Sequence, residues 1–187
     1  MSNKLTVVAM AALVIGSTPT DPAAAARYKF NLIQTGKARP GSVLTFSPSE
    51  LNAYARRELP TVAPEGVRQT RLELGTGTAT GSAMIDFLKL RHAQGEQTPW
   101  LIAKLIEGEK FVKVNARIQS AHGKAAVYLE RVELSGLAVS GSTLDFLIHT
   151  FVLPLYPDAK INEPFALHDR VDHIEVAPHG ARVVMRR

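Results

Sequence analysis

Along the chain the hydrophobic positions switch from a helical to a strand-like spacing, and the switch repeats three times in one order: a helix, then two strands about a short turn. The first unit opens at Ser47-Pro48-Ser49-Glu50, where a serine cap, a proline at the first helical position and a glutamate three residues after the cap form a capping box. It predicts a helix to about Leu59, with Leu51, Tyr54, Ala55 and Leu59 on one face and Pro60 as its stop. Residues 67–74 and 78–90 follow as strands joined at Gly75-Thr76-Gly77. The second is smooth on one side, since Gly77, Ala79, Gly81 and Ala83 alternate with Thr78, Thr80 and Ser82. Glycine is kept inside a strand where the sheet bends, or where a backbone, a bulky side chain or a ligand comes close, and both readings stand.

The second unit starts at Thr98-Pro99 and carries Trp100, Leu101, Ile102, Leu105 and Ile106 before Gly108. Residues 111–120 then alternate cleanly, with Val112, Val114, Ala116 and Ile118 against Lys113, Asn115, Arg117 and Gln119. Beyond the His122-Gly123 turn, Val127 and Leu129 take one parity and Tyr128, Val132 and Leu134 the other, which signals a bulge or burial on both faces. The third unit has an apolar helix from Ser142-Thr143-Leu144-Asp145 to Pro154, greasy nearly all round and therefore enclosed. A last hairpin, 171–177 with 181–186, turns at Pro178-His179-Gly180, and residues 28–34 and 43–46 add edge strands at the front. Strands in adjacent pairs disfavour a parallel sheet built from crossovers. The expected class is α+β: a curved antiparallel sheet of about six strands, made of three hairpins, with three helices packed on one face.

The opening segment changes the picture of location. Lys4, the apolar run 5–15 and the small residues Ala23 to Ala26 stand in the order of a cleavable secretory signal, with cleavage expected after Ala25 or Ala26. The run falls short of the roughly 20 residues that span a bilayer. Residues 1–26 are thus read as a signal peptide and 27–187 as a single exported domain, periplasmic or secreted. No cysteine occurs, which excludes disulfides, thiolate metal sites, a cysteine nucleophile and a lipid-bearing cysteine. The net charge of +5 and a pI near 9.6 suit contact with an anionic membrane surface; nucleic acid is not expected for an exported chain.

Candidate chemistry is thin. Gly75-Thr76-Gly77 with Gly81 has the wrong spacing for a dinucleotide loop and precedes strand rather than helix, and no phosphate loop, serine elbow or zinc-protease helix is present. His168, Asp169, Asp172 and His173 are the densest group of titratable residues, but strand geometry splits them into mixed pairs, too few for a metal site. Asp145 and His149 match a dipole-aligned i, i+4 helix pair. Lys110, Lys113 and Arg117 line one polar strand face, and Arg182, Arg186 and Arg187 crowd the C-terminal end. No catalytic residue, metal or cofactor is expected, and the chain is not read as an enzyme.

The signal peptide, the LTFSPSELNAY opening, the paired long strands and the apolar GSTLDFLIHTFVLP helix together resemble bacterial periplasmic proteins of the tubular lipid-binding (TULIP-like) class. The resemblance implies a curved sheet that wraps a long helix and leaves an apolar groove for acyl chains. On that layout the ligand-binding candidates are Ile85, Phe87, Trp100, Leu101, Phe146, Leu147 and Phe151. The expected function is a soluble carrier or binding protein for a lipid or other apolar ligand. The alternative is a non-catalytic envelope adaptor that docks a partner protein or a membrane surface.

Overall fold

The structure, a computed structural model, describes residues 21–62, 66–89, 107–154, 156–157 and 159–187. Its first element is a helix, α1 (Pro22–Gln34), started by Asp21, whose carboxylate accepts a hydrogen bond from the Ala23 N–H at 3.1 Å. The edge strand expected over 28–34 is therefore wrong. Once the Asp-Pro cap has nucleated a helix, Phe30 and Ile33 fall on one helical face and pack into the core. The helix also runs through the junction where cleavage is expected, with Ala23 and Ala26 fully buried in it. Strand β1 (Val43–Phe46) lies where the pattern put it.

Helix α2 (Pro48–Val62) begins with the predicted capping box. The Ser47 N–H donates to Glu50 Oε2 at 2.8 Å, and the Glu50 N–H donates to Ser47 Oγ at 3.2 Å. Burial pushes the Glu50 carboxyl up, but Lys29 at 2.6 Å and the Ser47 donors outweigh it and hold the group below its ordinary value. The helix outlasts the expected stop at Pro60, which falls in the last turn and spares the bonds before it.

Four long strands follow: β2 (Val67–Gly75), β3 (Thr78–Asp86), β4 (Glu109–Ala121) and β5 (Lys124–Leu134). Strand β3 stops four residues short of its expected end because Asp86 accepts the Lys89 N–H at 3.0 Å and starts a helical turn. The helix expected after Thr98-Pro99 lies outside the described residues. The remaining elements are β6 (Leu137–Val139), α3 (Gly141–Leu147) running on into a π-helical turn (Ile148–Val152), β7 (Pro164–Ala166), β8 (Val171–Ala177) and β9 (Gly180–Met185).

The class is α+β, and the large sheet has six antiparallel strands. It runs β2-β3-β4-β5, with β6 and β7 both on the far edge of β5, one at each end. The third hairpin does not join it. Strands β8 and β9 pair with β1 in a separate sheet, in which Phe46 faces Ala181. The small sheet is fastened to the turns of the large one: the Gly77 N–H donates to the Val176 carbonyl, the Gly123 N–H to the Asp172 carbonyl, and the Ile174 N–H to Ser120 Oγ. A side chain at Gly180, where φ is +150°, would collide with the Phe46 carbonyl, so only glycine lets β9 approach β1 so closely.

Two bulges set which side chains face inward. Strand β2 pairs Arg68 with Met84 and Arg71 with Ser82, leaving Gln69 and Thr70 opposite Ala83, with Gln69 at φ +52°. Plain alternation from Val67 would turn Arg71 and Glu73 inward; the extra residue brings Leu72 and Leu74 in and sends the two charges out. In β5, Arg131 pairs with Asn115 and Leu129 with Ala116, so Glu130 is the extra residue. It faces outward, 3.0 Å from Arg117, and Leu129, Val132 and Leu134 share one face. This is the parity shift visible in the sequence.

Both free edges of the large sheet meet an asparagine. Asn52 of α2 accepts the Leu72 N–H and donates to the Leu72 carbonyl, each at 2.8 Å, as a neighbouring strand would. On the other side the Asn162 N–H donates to the Val127 carbonyl at 2.9 Å, and its side chain accepts the Leu129 N–H at 2.7 Å. The closest packing lies under the small sheet, where Ala26, Phe46, Val171, Val183 and Met185 are buried together and Phe30 stacks on Phe46 and Tyr54 at 4.6 and 4.7 Å.

Candidate functional site: an apolar cavity under the third helix

One face of the large sheet is built in rows. The register sets Leu72, Gly81, Val114 and Val132 side by side across β2 to β5, and Ala83, Val112 and Leu134 form the next row. Val67 and Ile85 continue it toward Phe87. Above these rows α3 and the π-helical turn present Leu144, Leu147, Ile148, Phe151 and Val152, an i, i+3, i+4, i+7, i+8 stripe. Helix and sheet do not meet throughout. They leave between them a half-open cavity of about 490 Å³, bordered at its sides by Ala55, Tyr156 and Ile161 among the described residues.

Gly81 explains part of the gap. A Cβ built there meets nothing within 4 Å among the described residues, so the smooth stretch of β3 borders open space between them rather than a packed neighbour. Thr70, turned inward by the β2 bulge, places a hydroxyl-bearing side chain at the wall. Arg71, Ser82 and Glu133 border the cavity from the opposite parity, and the two charged ends are engaged with partners on their own face: Arg71 lies 2.9 Å from Glu73, and Glu133 pairs with Arg131. Such a lining offers water few partners, so the space favours an apolar occupant. Its volume falls in the range of small-molecule sites.

Of the residues expected to bind ligand, Ile85, Phe87, Leu147 and Phe151 come together at this cavity. Phe87 and Phe151 meet edge-on at 4.8 Å and form its most buried wall. Phe146 is not at the surface of the cavity; it backs Phe151 from behind, with ring centroids 6.4 Å apart. Trp100 and Leu101 lie outside the described residues. Sequence reasoning missed the aliphatic rows of β4 and β5, whose alternation was plain but reads equally well as core, and it left Gly81 and Ala83 undecided.

The titratable candidates do not converge on the cavity. The His149 Nδ1–H donates to the Asp145 backbone carbonyl at 2.8 Å, so the pair is a local helix contact and its carboxylate is not engaged. His168 precedes β8 in a turn, which breaks the strand spacing assumed for it. His173 sits between Asp172 at 2.6 Å and Glu175 at 3.3 Å, and the Asp172 hydrogen bond, then that of Glu175, raises its pKa. Arg182 is paired with Glu175 at 2.9 Å, and Arg117 lies over the Tyr128 ring at 5.0 Å. Among the described residues no group of three His, Asp or Glu side chains is placed to hold a metal ion, and no helix is long and apolar enough to cross a membrane. Compared with protein-family models, curated proteins and solved structures, the chain matches none.

Proposed function

We propose that this protein is an exported, periplasmic or secreted, binding or carrier protein that shelters a lipid or another apolar molecule between its large sheet and α3. The observation that carries the reading is the cavity of about 490 Å³ walled by aliphatic and aromatic side chains, into which the bare backbone of Gly81 opens. A single acyl chain suits it: each buried methylene is worth about 0.8 kcal/mol, so about eight of them supply roughly 6 kcal/mol of gross stabilisation before the cost of association. The resemblance to tubular lipid-binding proteins points the same way.

The adaptor alternative draws less support. Recruiting a partner strand needs free edge groups, and at Leu72, Val127 and Leu129 those groups are already bonded to Asn52 and Asn162. To test the carrier reading, the protein is purified without detergent, extracted with organic solvent and examined by mass spectrometry, and a fluorescent fatty acid is titrated into the stripped protein. A co-purifying lipid or saturable binding is expected. An empty extract together with no titration signal refutes the proposal.

A further inference from the structure

On the far side of the small sheet, three distant segments of the chain converge. The Gly41 N–H donates to the Arg186 carbonyl and the Arg186 N–H to the Arg170 carbonyl, both at 2.8 Å, while Arg170 Nη1 donates to the Gly36 carbonyl at 2.8 Å. Between them is a pocket of about 280 Å³ with Ala38, Pro40 and Met185 for its floor and Arg170, Arg186, Arg187 and Asp169 around it. Lys37 and Arg39 stand exposed beside it. These segments carry five cationic side chains against one side-chain carboxylate, Asp169, a side-chain balance of +4 in a chain whose formal side-chain charge is +5.

The contrast is with the other arginines that have a carboxylate beside them: Arg27, Arg57, Arg68, Arg71, Arg117, Arg131 and Arg182 each hold one. Among the described residues Lys37, Arg39, Arg170, Arg186 and Arg187 hold none. Arg186 contributes its stem, since its guanidinium lies against Gly123. Arg170 spends one N–H on Gly36 and keeps others, and Arg187 passes over Gly41, where left-handed glycine geometry (φ +70°) turns the loop beneath it. A guanidinium fork matches tetrahedral oxyanions in geometry and charge.

We propose that this pocket is an anion site that takes a phosphate group, as a free phosphate or as the phosphate of an anionic lipid headgroup. It is separate from the cavity and does not depend on the carrier reading. The test titrates inorganic phosphate, against chloride at equal ionic strength, while amide shifts are followed by NMR, and in parallel sediments the protein with phosphatidylcholine vesicles that contain or lack phosphatidylglycerol. A phosphate response confined to residues 36–41, 168–170 and 185–187 supports the site with free phosphate as its source. Selective sedimentation with phosphatidylglycerol supports it with the headgroup as its source.

Because each cation near an anionic surface is worth roughly fivefold in binding, Arg170→Gln/Arg187→Gln lowers vesicle affinity by about twenty-five-fold, and it abolishes the phosphate response. Lys37→Gln/Arg39→Gln, on exposed side chains, covers the case in which the first pair disturbs the fold. Lys110→Gln/Lys113→Gln removes the same charge from the large sheet and leaves binding intact. The proposal is overturned by an equal loss in that control, or by no phosphate-specific shift and no phosphatidylglycerol preference. Gly81→Leu, which fills the cavity, leaves all these readings unchanged, so failure here and failure of the carrier reading are told apart.

Discussion

Gly81→Leu puts the cavity to the test. The position lies in the extended backbone of β3, and a Cβ there has no neighbour within 4 Å among the described residues, so the new side chain enters the cavity without backbone strain. Replacing glycine in a strand interior recovers roughly 0.5–1 kcal/mol of chain entropy. Burying the leucine adds about 1.5–3 kcal/mol if it is fully enclosed, and a cavity of about 490 Å³ is too wide for one leucine to fill, which favours the low end. The ligand-free protein therefore gains about 2 kcal/mol, which for a chain of this size is a rise in melting temperature of roughly 4–8 °C. Binding moves the other way. If the leucine displaces about two methylenes of an acyl chain, the loss of roughly 1.6 kcal/mol weakens affinity about fifteen-fold. Thermal melts of stripped protein and fluorescent fatty-acid titrations read both effects. A variant that melts lower than wild type, as overpacking of a filled core by about 1–3 kcal/mol produces, would falsify the cavity reading.

Three further outcomes are expected. Asn52→Leu strands the N–H and carbonyl of Leu72 at the sheet edge and lowers stability by about 2–3 kcal/mol in urea titrations; an unchanged midpoint means the amide is not acting as a strand partner. His173 has its folded pKa raised, so its contribution is complete below the unfolded value of about 6.5 and disappears as pH climbs through the folded one. The stability gap between wild type and His173→Gln is accordingly full below the unfolded value of about 6.5 and closes as the pH rises above it, and a gap that stays constant or widens contradicts the carboxylate contacts. A chain starting at Arg27 loses the Asp21 cap and the buried methyls of Ala23 and Ala26 and is about 2–3 kcal/mol less stable than one starting at Asp21. Sequencing the N-terminus of exported protein should accordingly place any cleavage ahead of Asp21; a mature chain that begins at Ala26 or Arg27 and melts normally contradicts the role given to α1.

What was legible in the sequence was local chemistry. The Ser47-Glu50 box needs only neighbours in the chain, and it forms with both reciprocal bonds. The shift of parity between Leu129 and Val132 announced the Glu130 bulge in the same way. An equal signal was available in β2, where Val67 is out of step with Leu72 and Leu74, and it passed unread. By contrast α1 was hidden because the alanines that suit a signal-peptidase site also suit a helix, and the burial of Ala26 against distant parts of the chain is invisible to local pattern. The division into two sheets rests on β1 meeting β9 across most of the chain, a contact no local pattern encodes. For the site, an aliphatic row such as Val112 and Val114 looks the same whether its face is filled or open. That difference lies in how far α3 stands off the sheet, which is a tertiary distance.

The tight core and the hollow are built from different side chains, although α2 borders both, with Tyr54 in the one and Ala55 at the wall of the other. The rings of Phe30, Phe46 and Tyr54 lock α1, α2 and the small sheet together without help from anything inside the cavity. On the carrier reading proposed above, emptying the cavity leaves this keel in place, so release of a ligand would return a folded, reusable vessel rather than a chain that must be rebuilt around its next load.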